Sequence, residues 1–406
     1  MKLAKLSLAA MVVAGLASSS FAADTLADAF KNGKVSGELR AWYFDREGSA
    51  TAATSSVNSD IFNTGVVLGY VTDSLYGFKL GATFQSNYAA FADGSLTEAG
   101  TAKSDFKGDE YGSGAVLSEA YVQYSIGKTT AKVGRQFIST PLVNGSGSRM
   151  IKQSFEGATI ANTDLPATTL VAGVVTKYQA RTNGAGDVGE FNELNADHDY
   201  AYTLLAINKS IPGTTLTAQW ASLADYADFY YAEAAYAGKA GEISYGVAAN
   251  YELKDPDTAS AEEGTMYGAK LSLGFGDLNG YVAYTKITDD ASVGGVDGGA
   301  GFGGGAQTAF AKAYSSKTGT YDADSQAYSI DVNYNFKQIG LLAGARYTSV
   351  EVDSAAASID ERVYTDIYAV YNFSGALKGL QADVSYQDWS KDLDGHDFWF
   401  KANYKF

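Results

Sequence analysis

The chain has 406 residues, no cysteine and a formal net charge of −16. That acidic balance excludes the basic footprint of a nucleic-acid-binding protein, and with no cysteine no disulfide framework holds the fold. Charged residues are only 19%, Tyr (29) and Gly (45) are abundant and Pro (4) is scarce, a composition suited to many strands joined by turns.

At the N-terminus, Lys2 and Lys5 precede an apolar run from Leu6 to Leu16 and then Ser20, Phe21 and Ala22. This reads as a signal peptide, residues 1–22, cleaved after Ala22. Export would remove two lysines and take the charge from −16 to −18. Residues 23–34 read as a short periplasmic segment and 35–406 as the folded unit. No later apolar run approaches the roughly 18 residues of a spanning helix.

From there a period of two recurs. Leu39, Ala41 and Tyr43 alternate with Glu38, Arg40 and Trp42, and Phe78, Leu80, Ala82 and Phe84 with Lys79, Gly81, Thr83 and Gln85. The same holds for Leu216–Trp220, Ile243–Tyr251, Tyr328–Phe336, Val363–Tyr371 and Leu380–Tyr386. Finally Phe398, Phe400, Ala402, Tyr404 and Phe406 alternate with Trp399, Lys401, Asn403 and Lys405. These runs are about 9–11 residues, enough to cross a bilayer when tilted, where soluble strands average about 5–6. Short connections such as Gly127–Thr129, Gly238–Gly241 and Lys337–Ile339 alternate with long polar ones: Asp45–Asp60, Ser86–Tyr111, Phe137–Gln153, Lys177–Asp197, Ile287–Tyr321 and, shorter, Trp389–His396. A soluble β-sandwich or solenoid shares the alternation, but not this strand length or loop asymmetry. The expectation is an all-β fold: a closed transmembrane antiparallel β-barrel of about 18 strands with long extracellular loops and short periplasmic turns. Both termini then lie on the short-turn side.

One region is more specific. Lys132-Val133-Gly134-Arg135-Gln136 is followed by Pro141, then by Gly147-Ser148-Arg149-Met150 and Ser154-Phe155-Glu156-Gly157. This resembles the OprD-type outer-membrane porin family, in which such a run forms the fifth strand, an inward-folding third loop and the sixth strand. Val35–Arg40 and the closing Tyr404-Lys405-Phe406 also fit, as does a likeness to the related major porins of epsilon-class proteobacteria. The family's Pro after Ser-Arg-Met-x is replaced by Lys152. The resemblance implies an 18-strand barrel in the bacterial outer membrane, narrowed by loops and passing small charged solutes. A row of basic residues guides carboxylate-bearing solutes in that family, and members are monomers or homotrimers.

Within this frame, 137–153 is the expected constriction loop, carrying Arg149 and Lys152. Inward phase assigns Arg40, Lys132, Arg346, Lys401 and Lys405 to the lumen. Asp331, Asp366 and Asp383 fall on the same face, on the fourteenth, sixteenth and seventeenth expected strands. With Glu156 they form an acidic set opposed to Arg149 and Lys152, so the sign of selectivity stays open. Tyr404 and Phe406 resemble the closing-strand signal read by the barrel-assembly machinery. Acidic loop residues (Asp105, Asp109, Glu110; Asp187, Glu190, Glu193; Asp255, Asp257, Glu262, Glu263; Asp289, Asp290) suit Ca²⁺ or Mg²⁺ bridging lipopolysaccharide, or simply a solvated rim. Gly294–Gly305 lacks the Lys-Ser/Thr and helix of a phosphate loop and reads as a flexible loop tip. The only histidines, His198 and His396, lie beside aspartates with no nucleophile motif, so an enzyme is not expected. An adhesin-like or structural barrel is the alternative to a porin.

Overall fold

A sheet with one apolar and one polar face leaves no unpaired edge in hydrocarbon only if it closes on itself. A computed structural model of the protein describes residues 23–50, 57–90, 112–183, 186–194, 200–258, 261–288, 291–314, 321–353 and 360–406, and in it the sheet closes. After a short helix α1 (Leu26–Lys31) come β1 (Lys34–Ala50), β2 (Val57–Val71), β3 (Phe78–Ala90), β4 (Gly114–Ile126), β5 (Thr129–Gln136), β6 (Ser154–Asn162) and β7 (Thr168–Gln179). Then follow β8 (Phe191–Glu193), β9 (Ala201–Asn208), β10 (Thr214–Leu223), β11 (Ala227–Ala240), β12 (Ile243–Pro256) and β13 (Gly264–Phe275). The circuit ends with β14 (Leu278–Ile287), β15 (Ser325–Phe336), β16 (Leu341–Val352), β17 (Glu361–Asn372), β18 (Leu380–Lys391) and β19 (Leu393–Lys405).

Paired strands run antiparallel, and β1 pairs with both β2 and β19. The three-residue β8 lies beside the end of β7, which pairs directly with β9. The wall is therefore the eighteen-strand barrel expected, with β8 as an addition.

The two faces invert a soluble sheet. Along β15, Tyr328, Ile330, Val332 and Tyr334 are exposed while Ser329 and Asp331 are buried. A barrel this wide encloses water, not a side-chain core. Its apolar interior comes from loops: Ile138, Leu142 and Val143 pack with Phe155, Leu223 and Phe229 of the wall and with Phe302 of the β14–β15 connection.

Two expected loops are mostly strand. Over Asp45–Asp60, β1 continues to Ala50 and β2 starts at Val57. Over Trp389–His396, β18 runs to Lys391 and β19 starts at Leu393. There the ladder rises past the apolar band. Backbone pairing persists where side chains need no longer alternate, so the pattern ends before the strand does.

Candidate functional site

The segment 137–153 leaves β5, crosses the lumen and returns at β6. Polar side chains from both sides of the barrel hold its backbone. From β10, Gln219 accepts from the Leu142 amide at 2.9 Å and donates to Thr140 Oγ1 at 2.8 Å. From β3, Gln85 donates to the Lys152 carbonyl at 2.9 Å and accepts from its amide at 3.0 Å. From β1, Arg40 donates to the Met150 carbonyl at 2.7 Å. A loop tied to β1, β3 and β10 together lies across the channel.

A second segment joins it, correcting the reading of Gly294–Gly305 as a flexible tip. Phe302 is fully buried, its amide donates to the Leu142 carbonyl at 2.7 Å, and its carbonyl accepts from Asn144 at 3.0 Å. A Cβ on Gly301 would stand 2.3 Å from the Leu142 carbonyl oxygen, and one on Gly303, at φ +86°, 2.5 Å from that of Asn144. The glycines allow backbone to press on backbone. Asp297 pins this segment by accepting from Tyr178 at 2.9 Å and from Gln153, with Arg181 at 3.7 Å. Residues 306–314 then run along the wall, where Asn250 donates to the Thr308 carbonyl at 2.8 Å and the Ala311 amide donates to Thr285 at 3.1 Å.

The charges separate. On the β1–β19 side, cations and aromatic faces alternate. Arg149 sits 4.8 Å from the Trp399 ring centroid and 5.9 Å from that of Phe44. Lys401 lies 4.1 Å from Trp399 and 4.8 Å from Trp42. Arg40 lies 5.6 Å from Trp42 and 3.2 Å from Glu38. Above them, Arg46 makes a two-point contact with Asp397 at 2.7 and 2.9 Å. Lys152 stands over the Phe137 ring at 4.3 Å and Lys132 over Tyr121 at 4.0 Å. Burial holds the Lys152 ammonium below its ordinary range, partly offset by Glu119.

Along the neighbouring strands β15 to β17 the acids are engaged. Asp331 binds Arg346 at 2.9 Å and the Tyr368 hydroxyl at 3.0 Å. Asp366 accepts from Gln387 at 2.6 Å and from the Tyr314 amide at 3.2 Å. Both are buried behind 306–314, whose Ala313 carbonyl also accepts from Arg346 at 3.2 Å. They brace the strap and do not form an open acidic wall. Asp383 is opposite Lys401 in the β18–β19 register. Glu156, expected with the acidic set, is misplaced there. Its neighbour Phe155 packs inward, and Glu156 pairs with Arg135 at 3.0 Å on the other face of the sheet.

Sequence reasoning left Trp42 and Trp399 without a role, although both occupy lumen parity in their strands, which was the available signal. Asp297, within the glycine tract, gave none. His396 is 3.5 Å from Asp45 and stacks on Tyr386; His198 lies outside the described residues. Among the described residues no three His, Cys, Asp or Glu side chains converge as metal ligands. Asp105, Asp109, Glu110, Asp289 and Asp290 lie outside them, as does the expected signal peptide.

No curated protein matches the sequence. Among solved structures, OpdK of Pseudomonas aeruginosa with vanillate is 16% identical, with a TM-score of 0.76 over 93% of this chain and 99% of that one. A BenF-like porin from Pseudomonas fluorescens is 17% identical, with a TM-score of 0.78 over 93% and 99%. OccAB4 of Acinetobacter baumannii is 15% identical, with a TM-score of 0.76 over 92% and 98%. At such identities these establish the shared barrel fold. The sequence profile described as "outer membrane porin, OprD family" matches residues 27–394. With that match spanning most of a closed eighteen-strand barrel crossed by its own loops, the chain belongs to the OprD family of outer-membrane porins, channels for small solutes.

Proposed function

We propose that this porin is a passive, anion-preferring channel for small carboxylate-bearing solutes, without catalytic activity. The observation that carries the reading is the gathering of cations and indole rings where the 137–153 loop meets the β1–β19 wall. Asp331 and Asp366 spend their acceptors on Arg346, Tyr368, Gln387 and the strap backbone. Arg149 and Lys401 lie 4.8 and 4.1 Å from the Trp399 ring centroid, and Arg40 and Lys401 lie 5.6 and 4.8 Å from that of Trp42. In a narrow passage the effective dielectric falls from about 80 toward 20, so fixed cations act there more strongly than at an open surface. The aromatic faces among them offer stacking surface to a flat solute. The OpdK structure with vanillate, an aromatic carboxylate, supports this reading by analogy. Tyr404 and Phe406 serve assembly, as the signal that the barrel-assembly machinery reads.

The test is the reversal potential in a salt gradient across a planar bilayer, for the parent and for Arg149→Ala with Lys152→Ala. The double variant is expected to shift selectivity toward cations and change conductance. An unchanged reversal potential would remove these two residues from the selective path and refute the reading.

A further inference from the structure

The N-terminal helix lies outside the barrel wall. In β2, Tyr70 shares parity with Leu68 and Val66; it stands opposite Val35 and Ala82, and Val66 opposite Leu39. Val35, Leu39 and Leu68 are exposed, so this is the lipid-facing row. The Tyr70 hydroxyl donates to the Phe30 carbonyl, and the two rings stack with centroids 6.4 Å apart. Gly33 passes so close to the same ring that a Cβ there would fall 2.3 Å from the Tyr70 hydroxyl oxygen. A helix beneath the pore mouth would not meet a lipid-facing ring in this way.

The helix is held by the β2–β3 turn, where the Asp73 amide donates to the Ala29 carbonyl at 2.9 Å and the Ala23 amide to Ser74 at 2.7 Å. Thr25 caps it, accepting from the Asp28 amide at 3.1 Å. With Ala29 buried on the turn, Leu26 and Phe30, one helical turn apart on a common face, are left 60% and 47% exposed. Lys31 ends the helix and is exposed. The apolar surface continues without a break from the wall: Phe30 stacks on Tyr70, Val35 neighbours Tyr70, and the Phe406 ring covers Gly37 beside it.

We propose that α1 is an interfacial anchor, with Leu26 and Phe30 set into the periplasmic leaflet and Lys31 among its phosphates. Continuity with the lipid-facing belt selects lipid as the occupant. A short helix lying in the interface plane, apolar face down, is how such segments bind membranes, and aromatic rings at the rim suit the headgroup level. The anchor would fix the height and tilt of the barrel's closing seam, because β1 follows α1 directly and pairs with β19.

The chain has no cysteine, so single spin labels can be placed at Leu26→Cys, Phe30→Cys, Asp24→Cys and Lys31→Cys in the full protein. The sample is the barrel in lipid nanodiscs of phosphatidylethanolamine and phosphatidylglycerol, open to solvent on both sides. Power saturation compares molecular oxygen, which partitions into lipid, with a neutral nickel chelate, which stays in water. The expected result is a several-fold excess of oxygen over nickel accessibility at 26 and 30, and the reverse at 24 and 31. Nickel accessibility at 26 and 30 equal to that at 24 would overturn the proposal. Exclusion of both reagents there would also overturn it, pointing to a second copy or a lumenal position. Since labels replace the side chains, trypsin cleavage after Lys31 gives a second readout. Cleavage should be several-fold faster in Leu26→Asp with Phe30→Asp than in the parent, and equal rates would count against the anchor.

Discussion

Arg149 and Lys152 stand three positions apart on the 137–153 loop, yet pH acts on them differently. The Arg149 guanidinium stays charged throughout the accessible range. The Lys152 ammonium is held below its ordinary pKa, first by burial and then by the nearby Arg40, against the opposing pull of Glu119. A lysine with a lowered pKa loses its proton earlier than a free one as pH rises. Anion preference should therefore decline on the alkaline side in the parent. In Lys152→Arg that part of the decline should vanish, measured as reversal potential between neutral pH and about pH 10. Identical pH profiles would mean that Lys152 does not face the permeating ion. Glu156 carries a different lesson at this scale. Counting back by twos from the exposed Ile160 reaches Ala158 and then Glu156, so its outward parity was legible. Its place in the motif says nothing of which face it takes.

Among the elements, the two inward segments differ in how far they could be read. The 137–153 loop is bounded by alternating strands and carries a family motif. The glycine tract is compositionally the same whether it is a mobile tip or a close-packed strap. What decides between them is the neighbour, and the neighbours are the carbonyls of Leu142 and Asn144, some 160 residues earlier in the chain. Gly303→Ala places a side chain on a left-handed residue and against the Asn144 carbonyl. The strain is on the order of 1–3 kcal/mol, and no flexible neighbour absorbs it. The strap should loosen, with larger single-channel conductance and faster protease cleavage within 294–305. Conductance and cleavage at parent values would show that the seam tolerates the methyl group.

For the whole molecule, closure is the controlling event, since every strand depends on β1 meeting β19. At that seam the Gly37 and Phe406 backbones exchange hydrogen bonds of 3.0 and 3.1 Å. The Phe406 ring covers Gly37 on the lipid face, so that a Cβ there would fall 2.1 Å from it. Gly37→Val should displace the ring and reduce the folded, heat-modifiable protein in the outer membrane, as should deletion of Phe406. Conductance of the molecules that do insert should not change, because neither group reaches the lumen. Parent-level abundance for both variants would remove Phe406 from assembly.

Strand parity, strand length and the alternation of short and long connections determined the barrel, because a bilayer demands an apolar outer row and full backbone pairing whatever the rest of the chain does. The inward parity of Arg40, Lys132, Asp331, Arg346 and Asp366 came from the same count. Tertiary structure alone decided what those charges do. Whether Asp331 faces a solute or braces a strap depends on where residues 306–314 lie, and that depends on contacts between segments far apart in sequence. Periodicity reports which face a side chain takes; it carries no record of what a loop later lays against that face.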